Sequence, residues 1–143
     1  MTESTKITFR YRQIDRLDDI TDLAELLFPG NRNQQHAAAR ILLELKAADA
    51  LVPSMAHLES KHQISRRTLQ RARAKLSRLG LIERVSWMNT RYGGREGWKL
   101  STRFSSGMRR LADTVEAWRK DQRPERTEKD RILVEMLRAP EEN

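Results

Sequence analysis

The chemistry-bearing stretch of this 143-residue chain runs from Ser65 to Arg78, where six cations stand with no carboxylate among them. Wound as an α-helix at about 100° per residue, it puts Arg67, Gln70, Arg71, Ala74 and Arg78 on one face. Arg66 and Lys75 flank that face, and Leu69, Ala72, Leu76 and Leu79 lie opposite. Such a face suits the edges of base pairs. A guanidinium can donate two hydrogen bonds to guanine, a carboxamide can pair with adenine, and the short Ala74 would let the helix sit deep or touch a thymine methyl. Ser65 stands where an N-cap belongs. A helix that merely faces water usually mixes charge signs for pair support, yet no acid occurs between Lys61 and Arg78. A second basic group, Arg91, Tyr92 and Arg95, surrounds Gly93-Gly94 in a turn-rich segment. Such a tip suits phosphates or a minor groove.

Other chemistries find little footing. The histidines are His36, His57 and His62, and no glycine-rich phosphate loop accompanies them, so an enzyme is not expected. Glu59 and His62 could share a helix face, but one such pair is short of a metal's ligand set. No metal and no cofactor is expected. The chain lacks cysteine, which excludes a disulfide frame and thiolate ligation.

The net charge of +8 is unevenly spread. Residues 61–110 hold 14 Lys/Arg against Glu83 and Glu96, while the segments before and after each hold seven bases and nine acids. Concentrated charge implies a polyanionic partner rather than a general solubility surface. Charge alone does not separate nucleic acid from an acidic protein or a membrane surface. The apolar runs are too short to span a bilayer, and Met1–Thr5 is no signal region. A cytoplasmic protein without a membrane partner is expected. Hydrophobic residues make up 38% of the chain, enough for one modest core.

These residues need elements to hold them. Residues 1–13 read as an arm, and Leu17, Ile20, Leu23 and Leu27 predict a helix over 15–28 that Pro29-Gly30 stops. Asn31 or Asn33 can cap a helix over 33–48, with Ala37, Ile41, Leu42 and Leu45 inward. Ser54 can start a short helix over 55–61 that buries Met55 and Leu58. A tight connection, Gln63-Ile64-Ser65, leads into the basic helix over 66–79, which Gly80 ends. The period then changes. Residues 81–87 read as a strand, 89–97 as a turn-rich loop, and 98–101 as the returning strand. Trp87 and Trp98 read as packing residues. Helices over 105–121 and 127–138, the latter capped by Thr127, close the chain.

Residues 33–104 resemble the winged-helix domain of MarR-like and ArsR-like transcription regulators. The resemblance rests on Ile64-Ser65-Arg66-Arg67-Thr68-Leu69-Gln70 and on Leu76-Ser77-Arg78-Leu79-Gly80-Leu81-Ile82-Glu83-Arg84. The latter is similar to that family's passage from recognition helix into wing. Asn89-x-Arg91 resembles the wing motif, and Leu100-Ser101 its closing strand. The resemblance implies a mainly α fold with a small β-hairpin wing, a winged helix-turn-helix with added N- and C-terminal helices. It divides the chain into an arm and helix over 1–30, a DNA-binding domain over 31–104 and C-terminal helices over 105–143.

It further implies a sequence-specific, double-stranded DNA-binding homodimer acting in transcription regulation, with room for a small-molecule effector. The dimerisation candidates are Met108, Leu111, Val115 and Trp118 on one helix and Ile132, Leu133 and Met136 on the next. Two other readings stay open: a winged-helix replication or plasmid-maintenance protein, and a protein–protein interaction module. The second gives no reason for the arginines of helix 66–79.

Overall fold

Seven helices and one antiparallel hairpin make up the described part of the chain, residues 5–86 and 95–138 of a computed structural model. The fold is thus mainly helical with a small two-stranded sheet. Two compact units divide it, Met1–Ser105 and Ser106–Asn143.

The first unit begins with an arm and a short helix, α1 (Tyr11–Asp15), followed by α2 (Ile20–Leu27). The single helix expected over 15–28 is therefore two pieces. Asp19 breaks it, because its carboxylate caps α2 by accepting from the Thr21 and Asp22 backbone N–H groups at 2.9 and 3.1 Å. Leu17, expected on the buried face, falls in the break and is exposed. Next comes α3 (Arg32–Ala47), capped by Asn31, whose Oδ1 accepts from the Gln34 N–H at 3.0 Å. Leu27, Phe28, Ile41, Met55, Leu58, Leu76 and Ile82 are fully buried and form the centre of the core. Apolar burial of this kind is the main favourable term holding the unit together.

After α3 the chain runs through Val52 to α4 (His57–His62) and, by a tight turn, to α5 (Arg66–Leu79). Gln63 takes the left-handed conformation in that turn, at φ 55°. Ser65 caps α5 by accepting from the Thr68 N–H at 3.1 Å. Gly80 ends it at φ 83°, a conformation that disfavours side chains. A Cβ on Gly80 would also lie 2.9 Å from the Arg103 Cβ, so glycine both stops α5 and admits the start of the next helix.

The strands β1 (Ile82–Val85) and β2 (Gly97–Leu100) pair antiparallel, Ile82 opposite Leu100 and Val85 opposite Gly97. Val52 adds a one-residue bridge to this sheet. It exchanges two backbone hydrogen bonds with Trp98, at 3.0 and 2.8 Å. Gly97 is required there, since a Cβ would come within 2.7 Å of the Val52 carbonyl oxygen.

Helix α6 (Arg103–Lys120) starts two residues earlier than expected. In the second unit, α7 (Pro124–Glu135) has Arg123 as N-cap rather than Thr127. The sequence signal at Pro124 reads as a break, but proline at the first helical position begins a helix, because its missing N–H would be unpaired there anyway. No described helix is long and apolar enough to cross a membrane.

Candidate nucleic-acid interface

Helix α5 buries Leu69, Ala72 and Leu76 against the core. Its other side carries Arg66, Arg67, Gln70, Arg71 and Arg78, all exposed, with Ala74 half-buried between them. The buried stripe fixes the rotation of the helix, and the rotation delivers those side chains to solvent together. Ser65 is exposed as well, but its hydroxyl is committed to the cap, accepting from the Thr68 N–H and donating to the Thr68 Oγ1 at 2.8 Å. Leu79 is half-buried rather than core.

One residue expected on the flank of this face lies elsewhere. Lys75 is 7% exposed, the one buried charged residue of the described chain. Its ammonium donates to the Lys6 carbonyl oxygen at 2.6 Å and lies 4.8 Å from the centre of the Phe28 ring. Burial, and after it the Arg78 guanidinium, push its pKa below the usual lysine value. Lys75 therefore holds the arm rather than standing with the exposed cations of α5. Its long apolar stem lets it follow the buried stripe while its head finds a carbonyl.

Arg73, which sequence reasoning passed over, also has a structural partner. Its guanidinium stacks 5.0 Å from the Trp98 ring centre, tying α5 to β2. Trp98 packs against the core, as a packing residue should.

Of the expected wing residues, Arg95 is exposed. Arg91 and Tyr92 lie outside the described residues, as does Trp87. The strands that lead into this segment are held by ion pairs: Glu83 with Lys99 at 3.1 Å and with Arg103 at 3.3 Å, and Arg84 with Glu96 at 3.5 Å. Both acids of the basic block are thus occupied by cations of the sheet and its exit.

The three histidines cluster along α3 and α4. His57 pairs with Glu44 at 2.7 Å, and the Arg40 Nε–H donates to the His36 Nε2 at 3.3 Å. Burial pushes the His62 pKa down, and the nearby Arg40, Lys61 and His36 push it the same way. Among the described residues no group of three His, Asp or Glu side chains could hold a metal ion.

In the second unit the expected association residues are all exposed. Leu111, Val115 and Trp118 of α6 are each more than half exposed, and Ile132, Leu133 and Met136 accompany them on and just after α7. The Trp118 indole N–H donates to Asp130 at 3.1 Å, and Asp121 holds Arg123 by contacts of 2.9 and 2.8 Å. On α7 the apolar residues 132, 133 and 134 are consecutive, so they wrap around the helix rather than form a stripe.

The chain matches no protein-family model, no curated protein and no solved structure.

Proposed function

We propose that the protein is a winged helix-turn-helix DNA-binding protein, a homodimeric regulator of transcription. The observation that carries this reading is the exposed face of α5: four arginines and a glutamine on a rigid helix, with no carboxylate on that helix. Its rotation is set by buried leucines, so the donors are pre-positioned rather than floppy. The B-DNA major groove admits a helix of this width, and Arg and Gln are the side chains that read guanine and adenine there.

The arrangement around α5 supports the winged-helix reading. The order α3, bridge at Val52, α4, tight turn, α5, hairpin is that of a winged helix-turn-helix. The one-residue Val52–Trp98 bridge lies where a winged helix would pair a further strand with the hairpin, which supports the reading. A protein-docking role would leave the one-signed face of α5 without a purpose.

The dimer reading rests on α6. Met108, Leu111, Val115 and Trp118 follow one another at spacings of three, four and three, the seam of a coiled coil, while Phe104 ahead of them packs against the core of the first unit. The positions beside the seam are Gly107, Ala112, Thr114 and Arg119, of which only Arg119, near the end of the helix, is charged.

The test is duplex binding against salt. Each neutralised phosphate contributes about −0.9 to the slope of log K against log salt, so the wild-type slope is expected to be steeper than about −4. A nearly flat response would remove DNA as the partner.

A further inference from the structure

The N-terminal arm carries a feature that duplex reading leaves unused. It is pinned at both ends. Ile7 and Ile14 pack against the core, the Thr8 N–H donates to the Leu26 carbonyl at 2.9 Å, and Lys75 of α5 holds the Lys6 carbonyl. Between the pins stands Phe9-Arg10-Tyr11-Arg12. Phe9 is 70% and Tyr11 77% exposed, although the isoleucines on either side are half-buried against the core. Arg10 and Arg12 are exposed too, and no acid occurs from Thr5 to Ile14. Two rings kept in water and alternating with guanidiniums forgo apolar burial, which calls for a partner with flat faces and negative charge.

A groove of about 530 Å³ opens beside these residues. Its lining includes Phe9, Arg10, Asn31, Gln34 and the buried Lys75, and no carboxylate. Its volume falls in the range of small-molecule sites. Asn31 spends its Oδ1 on the α3 cap and keeps its amide NH₂. The groove therefore offers a ring for stacking, a guanidinium for a phosphate and carboxamides for a base edge. These are the components of single-strand recognition.

We propose that this groove is a second nucleic-acid contact, which takes an unstacked base and its phosphate from a single strand flanking the duplex on α5. The proposal rests on the DNA-binding reading above and deepens it. Bases inside a duplex have no free face, so only an unpaired flank can use Phe9 and Tyr11. An acidic peptide would satisfy Arg10 and Arg12 but brings a ring only where it carries an aromatic side chain, whereas every nucleotide carries a flat base beside its phosphate. Because Lys75 belongs to α5 itself, the arm is fastened to the same helix that carries the basic face, and one bound nucleic acid can reach both.

The experiment compares fluorescence anisotropy of the full chain with four probes: a blunt duplex, the same duplex with a single-stranded thymidine tail, the same duplex with an abasic tail, and the thymidine tail alone. The thymidine tail is expected to tighten binding about five- to a hundredfold over blunt duplex per base stacked. The abasic tail should restore only a minor part of that gain. Phe9→Ala/Tyr11→Ala should abolish the thymidine gain and leave blunt-duplex affinity unchanged, and circular dichroism should confirm an unaltered fold. Equal binding to thymidine and abasic tails overturns the base contact, as does a gain that survives the double substitution. The two readings fail separately. Blunt-duplex binding without any tail gain sinks the arm contact alone. Tail binding through Phe9 and Tyr11 with no duplex affinity sinks the duplex reading and leaves the arm contact standing.

Discussion

Arg67 and Arg71 stand one helical turn apart on α5 with their side chains in solvent. A bidentate arginine discriminates among bases, whereas a phosphate contact does not. Arg67→Ala or Arg71→Ala is therefore expected to cost about 1–3 kcal/mol at particular base pairs of a selected site and to relax the preference there. Arg95→Ala should weaken all sequences more evenly. Selection of bound sequences from a random duplex pool, repeated with each variant, reads the difference. Full-strength, fully selective binding by both helix variants would move the recognition surface elsewhere. Also at this scale, His62 is expected to make the protein less stable in mild acid. Its pKa is held below the ordinary histidine value of 6.5, chiefly by burial. The folded state thus disfavours the charged imidazole, and below pH 6.5 the unfolded chain binds the proton more readily. Stability should be undiminished at pH 7 and fall as pH drops through 6.5 towards the lower folded value. Thermal melts from pH 7 to pH 5 should show a smaller decline for His62→Gln than for the wild type; parallel declines would mean that His62 is not responsible.

The elements differ in how plainly the sequence announces them. Helix α5 is legible because three local signals agree: a serine cap, a 3.6-residue apolar stripe and a glycine stop. The split between α1 and α2 is not, since Leu17 continues an apolar pattern across a break that Asp19 imposes by capping. The Pro124 start is legible only if proline is read as opening a helix as well as closing one. Lys75 is the instructive miss within the site. Residue type places it with the cations, but its position borders the buried stripe, and its partner, the Lys6 carbonyl, lies 69 residues away. No local pattern encodes a contact of that span. The groove beside the arm was hidden for the same reason, because it takes residues from the arm, the turn after α2 and the start of α3 together. The Lys75 latch has its own test. Lys75→Met keeps the stem and removes both the hydrogen bond and the desolvated charge, so global stability should change little while the arm loosens. Trypsin should then cut after Arg10 and Arg12 faster than in the wild type. The lowered pKa adds a direction: the unfolded chain holds the proton more firmly, so the wild type should gain on Lys75→Met as pH rises through the lowered folded value towards 10.5. Equal arm cleavage in the two proteins would mean that Lys75 does not hold it.

At the scale of the whole molecule, the two units divide the labour by charge. Twelve of the 14 Lys/Arg of the basic block belong to the first, whereas residues 106–143 carry nine bases and nine acids and an exposed apolar seam. A neutral unit can approach its own copy without the repulsion that a net charge of +8 would otherwise bring. An exposed stripe as wide as that on α6 marks an interaction surface. With α6 paired to its copy about a two-fold axis, the two α5 helices become symmetry mates. On the proposed dimer reading they are expected to serve successive major grooves, which lie roughly 34 Å apart, and the preferred site is expected to be a pseudo-palindrome. Leu111 and Val115 make the decisive test, because both are exposed and can be changed without opening the core. Leu111→Glu/Val115→Glu places like charges on both sides of the seam. The wild type is expected to sediment as a dimer at tens of micromolar and the double variant as a monomer. Affinity for a single half-site should be unchanged, while affinity for the full palindrome should collapse towards it, since the second half-site no longer adds to the first. A wild-type monomer, binding half-site and palindrome alike, would sink the dimer and leave the recognition helix where it stands.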